Sequence, residues 1–311
     1  MNRSMLGKRQ RGQYYTVKNP FAHPAFRAWA RRAGLPQTRI LEPFAGANSL
    51  IDHLAGMSLC RTFAAFDIAP ASDAVVRRNT LASFPSGFEA CVTNPPWLAR
   101  NSATLRGIDF PNCEYDDLYK FALRKCLDNC PYVAALVPES FIRAGVLTER
   151  LVDFVSLPTR LFADTENPVG LALFAPQSRQ GVRVWSGRRK VGLLCELERL
   201  RPVPDRNGPS VSFNDPNGNV GLIALDNTFG RSIRFCKVGE LAGYQVKPSS
   251  RYITKLYVDA PIRIDKWNRF LERFRDQTQD VLLTCYKGIR KDGKYRRRLD
   301  WEAARGIVHC A

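Results

Sequence analysis

Histidine is scarce in this 311-residue sequence: His23, His53 and His309 stand far apart, which leaves little from which to build a metal centre. Nine cysteines are present but scattered, with no CxxC pair and only Cys126 and Cys130 close together on a stretch of helical spacing. A zinc site is therefore not expected, and free thiols point to a reducing, cytoplasmic compartment. No run of ~18 apolar residues occurs, and the basic N-terminal stretch lacks the apolar segment of a signal peptide, so neither secretion nor membrane spanning is expected. The phosphate-cradling pattern GxxxxGK[ST] is missing, and only one glycine of a GxGxxG fingerprint is in place. No internal repeat is visible.

Acid is also missing from the first 32 residues, which hold 8 Lys/Arg; residues 33–179 hold 13 against 15 acids, and residues 180–311 hold 26 against 14. The net charge of +18 is thus gathered at the two ends around a near-neutral centre. Hydrophobic content of 45% and charged content of 24% are ordinary for a globular protein, so the charge segregation is the informative feature. It suggests a catalytic core flanked by polyanion-gripping arms, the alternative being a solvated basic surface. Three regions follow: a flexible basic stretch 1–11, a core 12–179, and a basic region 180–311 with a boundary near 178–181.

Within the core, strands and helices alternate up to about residue 178, which predicts a Rossmann-like, mainly parallel α/β sheet with helices on both faces. The strand around Ile40-Leu41 runs into the small-residue turn Glu42-Pro43-Phe44-Ala45-Gly46-Ala47-Asn48, and a helix starts near Ser49. Small residues there let the backbone come close to a ligand and aim helix N–H groups at it. A second strand, 62–66, ends at Asp67, which reads as an acceptor for ribose hydroxyls or as a helix cap. Val75 to Arg78 is a short third strand or a helix end. An apolar strand from Phe88 then stops at Thr93-Asn94-Pro95-Pro96-Trp97. Two prolines remove two donors and fix φ, so the chain must leave the sheet as a rigid corner bearing an amide and a flat ring. That set suits an exocyclic amino group held by acceptors with its heterocycle stacked; the alternative is an ordinary proline-rich strand exit. A helix over 115–130, a central strand over 132–138, and strands over 158–162 and 170–174 complete the expectation. Beyond Gln180 the alternation fades, leaving strand-like pieces at 182–185 and 222–225, a helix near 261–275, and a basic end.

Taken in order, Tyr14-Tyr15-Thr16, Glu42 to Asn48, Asp67-Ile68, Asn79 and Asn94-Pro95-Pro96-Trp97 resemble the gamma-class amino-methyltransferases over roughly residues 12–175. The resemblance implies an S-adenosyl-L-methionine-dependent enzyme that methylates adenine N6 in double-stranded DNA by base flipping. RNA adenine, DNA cytosine N4, or a catalytically silent nucleic-acid-binding subunit are the alternatives, and a cognate restriction nuclease is left open. By the same resemblance Tyr15, Thr16, Glu42, Phe44, Gly46 and Asn48 line the methionine end of the cofactor, Asp67 holds its ribose, and Ile68 packs on its adenine. Asn79 stands where the family usually has Asp, and Asn48 where it usually has Gly; Asn tolerates left-handed backbone, so the turn can survive. Asn94 and Pro95 would accept from the target amine, Pro96 would stiffen the corner, Trp97 would stack on the base, and Phe162 would cover its other face unless it is a core residue. Arg188, Arg189, Lys190, Arg296, Arg297 and Arg298 are the candidates for nucleic-acid contact.

Overall fold

The computed structural model describes residues 18–157, 160–162, 166–177 and 181–310, which fall into two compact units, one ending at Lys190 and one starting at Val191. Tyr15 and Thr16 lie outside the described residues.

The first unit is built on β1 (Ile40–Glu42), β2 (Phe63–Asp67), β3 (Val76–Arg77), β4 (Ala90–Thr93), β5 (Tyr132–Pro138), β6 (Leu151–Leu157), β7 (Val169–Phe174), β8 (Arg183–Ser186) and β9 (Arg189–Leu193). These form one sheet in the order β3-β2-β1-β4-β5-β7-β6-β8-β9. Neighbours from β3 to β5 are parallel, and β7 runs antiparallel between β5 and β6. The Rossmann-like α/β class expected from the sequence is the one observed. All residues of β1, β4, β6 and β7 are buried, as a sheet covered on both faces requires. The first helix, Pro24–Arg32, is capped by His23, whose Nδ1 accepts from the Ala25 N–H at 3.1 Å. It is pinned to the sheet by Trp29, whose Nε1 donates to the Phe174 carbonyl at 2.7 Å.

The strand expected over 158–162 is instead β6, seven residues earlier. Asp153 and Ser156 interrupt its apolar run in sequence, yet both are buried and satisfied by residues distant in the chain. Arg183 grips the Asp153 carboxylate through Nε at 2.8 Å and Nη2 at 2.6 Å, Trp185 Nε1 adds a third bond at 3.0 Å, and Ser156 Oγ donates to Glu139 at 2.6 Å. Burying those groups is tolerable only because of such partners. β8 pairs parallel with β6, so the sheet continues past the stretch where the sequence pattern changes. Close packing is visible at Gly170 on β7, where a Cβ would come within 2.3 Å of the Phe154 ring.

The second unit has an antiparallel sheet of β10 (Val211–Phe213), β11 (Val220–Ile223), β12 (Arg234–Cys236) and β13 (Ile253–Val258) in the order β10-β13-β11-β12, and a separate hairpin of β14 (Thr284–Ile289) and β15 (Tyr295–Arg298). Helix Ile264–Thr278 buries Trp267, Leu271 and Phe274, and helix Trp301–Cys310 buries Ala304 and Ile307. At its centre lies a fully buried ionic network. Asp226 takes Arg275 Nη2 at 2.8 Å and Arg290 Nη1 at 2.6 Å, while Arg275 Nε also reaches Asp280 at 2.8 Å.

Candidate active site

The strand order reverses between β1 and β4: the chain passes from β1 outward through β2 and β3, then returns to lay β4 and β5 on the other side. Ligands of open α/β sheets sit at the carboxyl ends of the strands at such a point. Ile40 lies opposite Ala90 and Leu41 opposite Cys91, so the turn after Glu42 and the corner that starts at Asn94 both leave the carboxyl ends of neighbouring parallel strands. Two motifs some fifty residues apart in sequence are thereby brought to the same end of adjacent strands.

The turn after β1 is tight and lies partly in the left-handed region. Gly46 has φ +53° and Asn48 φ +68°, and Asn48 opens the helix Ser49–Gly56 in the left-handed conformation that asparagine tolerates. Asp67, buried at the end of β2, accepts from the Gly46 N–H at 2.9 Å and from the Ala69 N–H at 2.8 Å, which locks the turn onto β2. Thr80 Oγ1 locks it from the other side by donating to the Pro43 carbonyl at 2.8 Å. Ile68 is 55% exposed beside Asp67, an apolar surface open to a flat ring. Asn79 is exposed, and its Oδ1 accepts from the Ala82 N–H at 3.3 Å. Phe44 is half-buried within the turn.

Glu42 is the unusual group. It is 1% exposed, and its Oε2 has no hydrogen-bond partner. Burial pushes its carboxyl well above the usual range, a backbone N–H at Ile51 pulls back, and the nearby Asp67 and Asp52 add to the rise. Asn48 Oδ1 and Thr93 Oγ1 are likewise buried without partners. Unpartnered buried polar atoms are rare in folded proteins and call for an explanation.

At the end of β4, Asn94 is half-buried and Pro95 and Trp97 are buried. Trp97 Nε1 donates to the Leu136 carbonyl of β5 at 3.4 Å, and its ring meets Phe162 edge to face at 5.4 Å. Phe162 is fully buried. The two candidate stacking rings are therefore together, but in mutual contact; a base between them requires one ring to turn away.

Asp117 is a positioning residue that the sequence reading missed, although an acid just before an amphipathic helix is an N-cap signal. Its Oδ1 accepts from the Leu98 N–H at 3.2 Å, directly behind Trp97, and from the Tyr119 N–H at 3.3 Å at the start of helix Leu118–Asn129. The carboxyl is pushed up to about 6, burial outweighing the pull of the Tyr119 and Leu98 N–H groups. A folded-state value above the unfolded one means stability is lost as pH rises between the two. The stability difference between the wild type and Asp117→Asn is therefore expected to move in favour of the variant from about pH 4 upward, levelling above about pH 6. Denaturant titrations at several pH values measure it, and a difference independent of pH contradicts the assignment.

The basic candidates separate. Arg188, Arg189 and Lys190 are exposed on and beside the tight turn between β8 and β9. On β15, Arg296 and Arg298 are half-exposed, whereas Arg297 is 5% exposed and points inward, donating to Cys285 Sγ. Strand alternation places Arg297 with Tyr295 on the buried face, which removes it from the surface that a nucleic acid could touch.

No protein-family profile matches this sequence, and no curated protein does. Among solved structures the chain is similar to a Listeria monocytogenes protein described as a class I S-adenosylmethionine-dependent methyltransferase, with 11% identity, TM-score 0.39, and coverage of 53% of this chain and 64% of that one. It is also similar to the methyltransferase subunit of a type I restriction-modification system from Streptococcus thermophilus, with 15% identity, TM-score 0.39, and coverage of 57% and 48%. The M protein of the type I restriction enzyme EcoKI matches at 12% identity and TM-score 0.37 over 90% of this chain and 68% of that one. The chain thus spans less than two thirds of the first of these structures and about half of the second. At this level these are likenesses of chain path, and the fold class rests on the strand order itself.

Proposed function

We propose that this chain is an S-adenosyl-L-methionine-dependent methyltransferase that acts on the N6 amine of adenine in DNA. The observation that carries the reading is the meeting of the Glu42–Asn48 turn and the Asn94–Trp97 corner at the carboxyl ends of adjacent strands. The residues present fit the cofactor. Glu42, Asp52 and Asp67 make an acidic cluster suited to a ligand with cationic groups, and the partnerless Glu42 Oε2 is an acceptor for an ammonium. Gly46 and Asn48 let the backbone approach, exposed Ile68 offers an apolar surface to an adenine face, and Asp67, which already holds the Gly46 and Ala69 N–H groups, would take the ribose hydroxyls through its remaining acceptor capacity. When bound, the cofactor supplies an electrophilic methyl group on a sulfonium.

The chain's own contribution is to hold the amine. An exocyclic amine conjugated to a ring is a poor nucleophile because its lone pair is delocalised. Asn94 Oδ1 and the Pro95 carbonyl accept the two amino hydrogens, which favours a pyramidal nitrogen with a localised lone pair. The prolines keep those acceptors fixed, so little reorganisation is needed as charge develops. Once its ring turns from Phe162, Trp97 would stack on the extruded base, and stacking worth about 1–3 kcal/mol would offset part of the cost of leaving the helix. Asp117 holds the far side of the corner through the Leu98 N–H.

Transfer of label from methyl-labelled cofactor to unmethylated DNA, RNA and protein in parallel, with digestion of the product to nucleosides, tests the proposal. Label in N6-methyladenosine from DNA is expected. Label in RNA or in cytosine reassigns the substrate, and no transfer to any of them refutes the reading.

A further inference from the structure

The C-terminal unit carries 22 Lys/Arg against 14 acids from Val191 on, and two of those arginines line a small cavity. At the base of the β14–β15 hairpin lies a cavity of about 180 Å³ lined by Arg251, Arg298, Leu299, Asp300 and Trp301. Arg298 Nε and Trp301 Nε1 are buried donors without an acceptor. Among the described residues, neither Arg251 nor Arg298 takes part in a salt bridge. The one carboxylate on the wall, Asp300, is engaged elsewhere: it accepts from the Ala303 N–H at 2.9 Å, capping the last helix, and from Thr284 Oγ1 at 3.2 Å. Two guanidiniums and an indole N–H around a small cavity are chemistry for a phosphate oxygen set.

Aromatic rings stand beside it. Tyr252, next to Arg251 and 41% exposed, meets Tyr286 of β14 edge to face at 5.4 Å, and their hydroxyls are 3.2 Å apart. The Arg296 guanidinium lies 5.3 Å over the Tyr286 ring, fixed by its Nε bond to the Asp226 carbonyl at 2.6 Å. Arg296 and Arg298 share the outward face of β15 while Tyr295 and Arg297 are turned in. A two-stranded ribbon that carries guanidiniums for phosphates and partly exposed rings for stacking offers the two kinds of contact a nucleic acid makes, whereas an acidic peptide would use the guanidiniums alone.

We propose that this face binds a nucleic-acid strand, with a backbone phosphate in the Arg251–Arg298 cavity and bases against Tyr252 and Tyr286. The assignment deepens the proposed function and rests on its nucleic-acid substrate. It is tested on the full chain, without cofactor, by anisotropy with a fluorescein-labelled 20-base-pair duplex and a single strand of equal length across a salt series. Replacing both arginines (Arg251→Gln with Arg298→Gln) is expected to lower the slope of log affinity against log salt by about 2, and affinity at low salt by about 10–100-fold. A control that removes equal charge elsewhere, Arg263→Gln with Lys266→Gln, keeps the wild-type slope. Should the double variant fold poorly by circular dichroism, Arg251→Gln alone, at an exposed position, gives a change of about 1 in slope. Tyr252→Ala and Tyr286→Ala each weaken the single strand by about 5–100-fold. Slopes equal to the control overturn the proposal. So does saturable binding of inorganic phosphate that the double variant abolishes while its slopes stay unchanged, since the cavity then serves free phosphate. Because no cofactor is present, a protein that transfers no methyl group can still show the expected slopes, and the two readings fail separately.

Discussion

Asn94→Ala is expected to cut methyl transfer by at least about 10²–10³-fold while leaving S-adenosylmethionine affinity within a few-fold of the wild type. The asymmetry follows from the sheet. The residues proposed for the cofactor sit on the turn after β1 and at the end of β2, held by the Gly46–Asp67 and Thr80–Pro43 bonds, neither of which involves Asn94. Asn94 follows β4 and, in the proposed arrangement, faces the substrate amine rather than the cofactor. Its side-chain oxygen is asked to bind the amine more strongly as the nitrogen becomes pyramidal, so its loss falls on the chemical step rather than on ground-state binding. Single-turnover rates with calorimetry of cofactor binding make the separation visible. Near-normal turnover would remove Asn94 from the mechanism, and a matched loss of cofactor affinity would make it part of the cofactor site instead.

For stability, the largest effect is expected at Asp226. The side chain is fully buried and receives Arg275, Arg290, the Ser232 N–H and the Arg297 N–H. Asp226→Ala leaves two buried guanidiniums facing each other with one carboxylate fewer, an imbalance that typically costs about 3–5 kcal/mol. The same residue ties the end of β11 to the hairpin, because the Asp226 N–H donates to the Arg297 carbonyl at 2.9 Å. The variant should therefore unfold its C-terminal unit at lower denaturant and lose nucleic-acid binding while the cofactor still binds. An unchanged unfolding profile would show that the network relaxes without consequence. The pH dependence has a definite sign. Burial alone would raise the Asp226 and Asp280 carboxyls, but the Arg275 bonds prevail and hold both below the usual carboxylate range. A depressed folded-state value gives stability that is present above the unfolded value, near 3.8, and lost as pH falls through the folded one. Acid unfolding of this unit is thus expected below about pH 4, and Asp226→Ala should reduce its steepness.

The fold class, the turn after Glu42 and the corner at Asn94 were legible in the sequence because their signals are local. A buried strand running into small residues, an asparagine able to take φ +68°, and a proline pair that ends a strand each act within a few residues. β6 was misplaced because Asp153 and Ser156 break its apolar run. Their burial depends on Arg183, Trp185 and Glu139, which no window around them contains. Asp117 escaped for a related reason: as a helix cap it was visible, but its bond to the Leu98 N–H behind the corner exists only once two distant segments meet.

The run Arg296-Arg297-Arg298 shows the division most sharply. Sequence alone determined that a strand there would turn alternate arginines to opposite sides, since side-chain direction along a strand has period two. Which side faces water was decided by tertiary structure, where Asp226 and Cys285 draw the middle residue inward and leave its neighbours beside Tyr286 and the Arg251 cavity. In the same way the chain itself wrote the Glu42 turn and the Asn94 corner, but only the placement of β4 against β1 brought them to the same end of the sheet. Local backbone preferences are encoded residue by residue, whereas the pairing of strands is fixed by which apolar surfaces can be buried together across the whole chain.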